Sequence, residues 1–280
     1  MYVIPAFSLF PAADAVAKYI IDDYHLVQIV WSRFFFQGVI VLAVVLARRE
    51  VRPTRTERLG LQVSCAISSW LSNFPFLGAL AFIPLADVVA IELVAPLMVT
   101  ALSVPFLGER VGARRWVAVV VGFLGALVII RPGLGVVHWA AWLPLLAAVF
   151  FALYQVGTRR LGATERPIVT LVYLTAVGLV ASSAVVPFFW TWPSTEAWAL
   201  MAVMGALSVL AQFALVKAFD AAPASLLAPF TYAQVVSAVV VGYVVFGDFP
   251  DRWTFAGTSI VVASGLYVAY REAVARRRVR

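Results

Sequence analysis

The sequence predicts an all-α integral membrane protein of ten transmembrane helices, arranged as two five-helix repeats of opposite orientation. Three observations carry this reading. Of the 280 residues, 63% are hydrophobic and only 12% charged, with a mean hydropathy of +0.96, whereas a soluble domain carries about 25% charged residues and needs polar side chains over its surface. The apolar residues fall into ten runs of membrane-spanning length. The two halves of the chain also share a pattern of turn residues.

A helix needs about 20 mostly apolar residues to cross the hydrocarbon layer. Such runs lie at 2–21, 27–47, 59–79, 86–107, 116–130, 139–157, 167–189, 198–218, 225–246 and 253–270, the fifth being the shortest. The first run holds Asp14 and Lys18 and lacks a small-residue cleavage pattern, so it is expected to be a span rather than a cleaved signal. The connections are short and polar and leave no room for an inserted soluble domain.

Orientation follows from the basic residues, which concentrate in cytoplasmic loops. With the N-terminus inside, 17 of the 21 Lys and Arg residues fall in cytoplasmic segments, counting Lys217 at the cytoplasmic end of its run, among them Arg48, Arg55, Arg114, Arg159 and Arg276 to Arg278. Only Arg131 and Arg252 fall in external connections, while Lys18 and Arg33 lie within spans. The net charge of +7 is therefore read as a topology signal, and no nucleic acid is expected as a partner. Eight of the nine tryptophans lie near span ends, as indole prefers; Trp70 alone lies near the centre of one.

Phe106, Leu107, Gly108 and Glu109 close the fourth run and lead to Arg115 and Trp116; Val245, Phe246, Gly247 and Asp248 close the ninth and lead to Arg252 and Trp253. Upstream, Ala81, Phe82, Pro84 and Ala86 are echoed by Ala218, Phe219, Pro223 and Ala224. Five spans per repeat force the halves into opposite orientations, the arrangement of many secondary transporters. The expected organisation is 1–133 and 134–270, followed by a basic cytoplasmic tail at 271–280.

These stretches resemble the EamA module of the drug/metabolite transporter superfamily. In the first, 76–133, the resemblance lies in Pro84, Leu85 and Ala86, in Ala95, Pro96 and Leu97, and in Leu107, Gly108 and Glu109. In the second, 218–270, it lies in Ala228, Pro229, Tyr232, Phe246, Gly247 and Asp248, the last replacing a more usual glutamate. Ala17, Lys18 and Arg33 are also similar to that family. The resemblance implies a ten-helix carrier of amino acids, nucleotide-like metabolites, vitamins or organic cations in a bacterial inner membrane. Its pathway would be formed by the first, third, fourth, sixth, eighth and ninth helices. It implies a small-molecule substrate and a lipid bilayer as partners, and leaves monomer and homodimer open. Export of amino acids or amphipathic metabolites is the expected activity. The alternative is uptake of a larger metabolite such as S-adenosylmethionine or riboflavin.

Charges inside a span are costly and turn toward the bundle interior or a wet cavity. Asp14, Lys18, Arg33 and Glu92 meet that description. Asp14 and Lys18 are four apart, so they share a helix face and can pair; Arg33 and Glu92 could compensate each other. Pro96 cannot donate to the carbonyl of Glu92, which puts a free carbonyl beside a carboxylate, and Pro11, Pro75 and Pro229 mark similar weak points. Glu92 is the candidate for proton coupling and Asp14 for a structural partner. Trp70, Asn73, Glu92, Tyr154, Gln155, Gln212, Tyr232 and Gln234 are cavity candidates, with interhelical hydrogen bonding as the alternative for the amides and packing or lipid contact for Trp70. Gly122 and Gly125 are expected to let helices approach closely.

Other chemistries lack their residues. One cysteine, Cys65, allows no internal disulfide. His25 and His138 stand without a second ligand at metal spacing, and no phosphate-binding loop or nucleophile elbow occurs, so neither a cofactor nor an enzyme activity is expected. A membrane-embedded enzyme is the reading of a different class.

The charge distribution generates a direct test. Reporter fusions at Arg55 and Arg280 should both report the cytoplasmic side; activity of an external-only reporter at Arg280 would overturn the orientation.

Overall fold

A backbone surrounded by lipid has no water to bond, so each apolar run must satisfy its own N–H and C=O groups, which a helix does. The computed structural model describes residues 3–47, 56–108, 111–132, 139–162, 165–221 and 232–279. Its helices are α1 (Val3–Ile20), α2 (Leu26–Ala47), α3 (Leu59–Leu80), α4 (Leu85–Glu92), α5 (Ala95–Leu107), α6 (Ala113–Ile130), α7 (Leu143–Leu161), α8 (Pro167–Val185), α9 (Thr195–Ala221), α10 (Ala233–Phe246) and α11 (Arg252–Val279). Short 3-10 turns precede α7 and follow α8. No strand occurs among the described residues. Since α4 and α5 are halves of one span, the chain makes ten crossings. Eight of the segments are long and apolar enough to cross a membrane, and α10 is a shorter apolar helix.

Helix ends depart from the apolar runs in an instructive way. The fifth run starts at Trp116, yet α6 begins at Ala113, after an extended Gly112, and takes Arg114 and Arg115 into its first turn. The tenth run stops at Tyr270, yet α11 continues to Val279. Arginine is a good helix former, so a helix runs on past the residues that need lipid. Helices α1 and α3 continue through Pro11 and Pro75. Glu109, Arg110, His138, Pro223, Ser225, Pro229 and the basic residues 48–55 lie outside the described residues.

Gly108 and Gly247 stop α5 and α10 in the left-handed conformation, with φ of 68° and 72°, which a residue without Cβ adopts freely. The N–H of each returns to the preceding turn, Gly108 to Val104 and Gly247 to Tyr243.

Packing follows one scheme in both halves. Helix α3 runs along α7 as α1 runs along α9, α2 lies against both α8 and α9, and α6 lies along α11. Leu77, Leu80, Leu85, Leu97, Met201 and Met204 are fully buried within the bundle. Small residues set the closest approaches. A Cβ on Gly257 of α11 would lie 2.5 Å from the Gly125 carbonyl oxygen of α6 and 2.5 Å from Ile129. One on Gly157 of α7 would lie 2.2 Å from the Cys65 sulfur of α3.

The connections 21–25, 81–84, 186–194 and 247–251 gather at one end, the His25 end, and residues 56–58, 162 and 165–166 at the other. At the latter, Glu165 accepts hydrogen bonds from the Thr56 hydroxyl at 2.6 Å and the Glu57 N–H at 3.0 Å. The Thr56 bond, foremost, holds the Glu165 carboxyl below its ordinary range. At the His25 end, burial alone would raise Asp251. The Thr254 backbone N–H, the Thr254 side chain and Arg131 outweigh it and hold the carboxyl low. Its contact with Arg131 therefore persists through neutral pH and is lost only as pH falls through that lowered value.

Overpacking of this kind costs about 1–3 kcal/mol. Gly257→Val should lower the detergent melting temperature, whereas Gly60→Val, where a Cβ meets open space, should change it little; equal melting of the two variants would contradict the close α6–α11 approach.

Candidate functional site

Four helices bring polar groups to one point in the apolar interior. Arg33, eight positions into α2, is 11% exposed, and Asp14 of α1 is 6% exposed. The two form an ion pair through Nη2 and Oδ1. Arg33 Nη1 donates to Asn73 Oδ1 of α3 at 3.1 Å, and Nε donates to Ser208 Oγ of α9 at 3.2 Å. The partners are themselves tied down: the Asn73 amide donates to the Ser69 carbonyl at 2.8 Å and the Ser208 hydroxyl to that of Met204 at 2.9 Å. Arg33 thus spends a donor from each of its three nitrogens on a different helix.

Glu92 ends α4 beside this cluster, and the charges that act on it are those of Asp14 and Arg33. Among the described residues its side chain makes no hydrogen bond or ion pair. The break that follows it is the one Pro96 suggests. Val94 N–H turns back to Ile91, and both Leu97 and Met98 donate to the Val94 carbonyl, at 2.9 and 3.0 Å. Pro96 has no N–H, so the carbonyls of Glu92 and Leu93 receive no backbone hydrogen bond among the described residues. Irregular backbone at this depth is tolerated where protein buries it or a cavity meets it. With both acids ionised, the cluster of Asp14, Arg33 and Glu92 carries one net negative charge.

The expected pairing of the charges is corrected here. Asp14 pairs with Arg33, not with Lys18. Lys18 Nζ instead reaches Asp248 Oδ2 at 2.7 Å and stands 4.7 Å from the centre of the Phe246 ring. Arg33 does not compensate Glu92 directly. A guanidinium with five donors can serve three helices at once, whereas the Lys18 side chain is free to leave its own helix.

The remaining candidates are spread more widely. The Trp70 indole donates to Ser182 Oγ of α8 at 2.8 Å, and its ring meets Phe74 edge-on at 4.9 Å. Gln212 donates to the Tyr154 hydroxyl at 3.4 Å, joining α9 to α7. Tyr232 is 8% exposed, and its hydroxyl fills the space beside Gly265 of α11. Gln155 and Gln234 are half-buried. Ser208 escapes sequence reasoning because an isolated serine in a span carries no signal. Asp248 is visible as part of the turn pattern, but not as a partner of Lys18. No group of three or more His, Cys, Asp or Glu side chains suited to a metal occurs among the described residues.

A ten-span helical bundle with a charged, hydrogen-bonded centre drawn from both halves defines a membrane transporter. The chain belongs to the EamA-like transporter family, whose model matches twice, at 3–131 and 138–270, and so to the drug/metabolite transporter superfamily. An S-adenosylmethionine uptake transporter of Rickettsia conorii is 29% identical over 272 residues, covering 95% of this chain and 90% of its own. A riboflavin transporter of Vibrio cholerae is 28% identical, covering 100% and 95%. A pseudopaline exporter of Pseudomonas aeruginosa is 32% identical over 66% of each chain. A solved crystal structure superposes with a TM-score of 0.67 over 96% of both chains at 18% identity, a likeness of fold alone.

Removing one partner of a buried ion pair leaves an uncompensated charge, at a cost of about 3–5 kcal/mol. Asp14→Ala should therefore strongly reduce the yield of monodisperse protein, and Asp14→Ala with Arg33→Ala should recover much of it; recovery is read by size-exclusion chromatography, and a double variant as poor as the single would contradict the pairing.

Proposed function

We propose that this transporter carries a small organic solute bearing both charged and apolar groups, by alternating access between two five-helix halves of opposite orientation in a bacterial inner membrane. The observation that carries the reading is the central cluster. A guanidinium offers two hydrogen bonds to a carboxylate, and Glu92 offers a counter-charge to an ammonium or sulfonium group. A zwitterionic solute satisfies both. Asn73 and Gln212 supply amide contacts, Trp70 and Tyr232 the aromatic surface, and Tyr154, Gln155 and Gln234 the flanking wall, in keeping with the mainly apolar, sparsely polar make-up of small-molecule sites.

Export of amino acids or amphipathic metabolites is the principal reading. Uptake of a larger metabolite is the second, favoured by the names of relatives that match almost end to end, one for S-adenosylmethionine and one for riboflavin. The amino-acid end of S-adenosylmethionine is itself zwitterionic, so the same cluster serves both directions. Glu92 is the coupling carboxylate of this scheme: it has no ionic partner of its own, so it can exchange a proton for the positive group of the solute.

The test is flux into proteoliposomes from a panel of amino acids, S-adenosylmethionine and riboflavin, with and without an imposed pH gradient. Saturable flux of a zwitterion, and loss of its gradient dependence in Glu92→Gln, are the expected results. Riboflavin carried to the exclusion of every zwitterion would overturn the substrate class, and unaltered gradient dependence in Glu92→Gln would remove Glu92 from coupling.

A further inference from the structure

Two seams join the halves of the bundle at the His25 end, and they differ in kind. In one, Gln28, fully buried, is paired with the backbone of Thr191: its amide donates to the carbonyl at 2.7 Å, and the Thr191 N–H returns to its side-chain oxygen at 3.0 Å. The Ser194 N–H donates to the Tyr24 hydroxyl beside it at 3.2 Å, and the His25 and Phe189 rings stack at 4.1 Å. Opening this seam would strand a buried amide and two backbone groups, which is costly.

The other seam is ionic. Lys18 reaches Asp248, Arg131 reaches Asp251 at 2.7 Å, and the Thr254 hydroxyl donates to Asp87 at 2.9 Å. The Asp248 and Asp251 side chains are 36% and 44% exposed. A cleft of about 320 Å³ lined by Lys18, Leu80 and Phe246, among others, already adjoins it. Water can replace the partners of Asp248 and Asp251, and exposed ion pairs contribute little net stability; only the Thr254 hydroxyl, on a residue 2% exposed, is out of reach of water. The Gln28 seam is therefore the harder of the two to open and the ionic seam the easier.

Lys18 also stands one helical turn beyond Asp14 on the same helix, the spacing and order in which an acid and a lysine pair best. Asp14 thus has two cations within reach, Arg33, which holds it in this structure, and Lys18, which is held by Asp248. We propose that Lys18 is a two-position switch: on Asp248 it latches the His25 end shut, and on Asp14 it releases that end, the exchange being driven when a solute anion takes Arg33. The last clause rests on the zwitterionic reading of the central site; the latch and the exchange do not. Asp14 has a partner in both positions, Glu92 has no ionic partner in either, and Asp248, 36% exposed, faces water once released. The exchange therefore strands no charge in the interior.

The test uses the full-length chain in nanodiscs, with Cys65→Ala and Leu80→Cys providing one buried thiol at the floor of the cleft, and follows its reaction with a hydrophilic maleimide. No solute is present, so failure of the substrate assignment cannot be mistaken for failure of the switch. Asp248→Asn should speed labelling about fivefold, the scale of one exposed ion pair, and Lys18→Asp with Asp248→Lys should restore the slow rate. The restored latch should be inert in transport, because an aspartate at position 18 cannot pair with Asp14. Arg33→Gln, which frees Asp14, should speed labelling as Asp248→Asn does, and adding Asp14→Asn should reverse that. A slow Asp248→Asn, or a fast charge-swapped variant, overturns the latch. A slow Arg33→Gln, or a double variant that stays fast, overturns the exchange. Should Arg33→Gln not be monodisperse, Asp14→Asn alone decides the matter: with the second position of Lys18 removed, labelling must fall below the parent rate, and an unchanged rate overturns the exchange.

Discussion

A guanidinium keeps its proton under any condition a cell provides, so an arginine set inside a membrane must be answered wherever its helix goes. Arg33 is answered by Asp14, Asn73 and Ser208, one each from α1, α3 and α9. Those three bonds fix the depth and rotation of four helices relative to one another, three from the first half and one from the second. Apolar packing between membrane helices tolerates sliding, because one leucine contact replaces another and lipid is as apolar as either. A directional bond in a medium without water does not. The arrangement of the interior follows from satisfying this one side chain.

The irregular stretch at Leu93 and Val94 draws its meaning from that cluster. Pro96 removes one donor and the turn at Val94 diverts two more, so unpaired carbonyls stand beside Glu92 at the depth where Arg33 is held. Straight helices would present only side chains there. A broken one also presents backbone oxygen, a ligand that cannot be titrated and that substitution of side chains does not remove.

The ten crossings are legible in the sequence because lipid sets a minimum length for each, and the break is legible because proline lacks a donor. Close approach at Gly125 is equally plain, though its partner Gly257 is not singled out by spacing. Helix ends are less legible: α6 and α11 run beyond the residues that lipid demands, since arginine helices as readily as leucine does. Partner choice is where reading the chain fails. Asp14 and Lys18 look like a pair because four residues separate them, yet Lys18 bonds an acid 230 positions away, a proximity that only the packed bundle creates. Ser208 and Ser182 carry no mark that distinguishes them from other serines in apolar helices. Their importance comes from what faces them.

The two left-handed glycine stops divide the chain's capacity for change. At 108 and 247 a side chain is strained by the backbone itself, at about 1–2 kcal/mol, whatever surrounds it. The residue after the second stop is under no such restraint, and there Asp248 is the partner of Lys18. Backbone shape and charge are thus under separate control at adjoining positions. Variants of altered charge at 248 lie a single codon away, while the turn on which they fold is set by the glycine beside them.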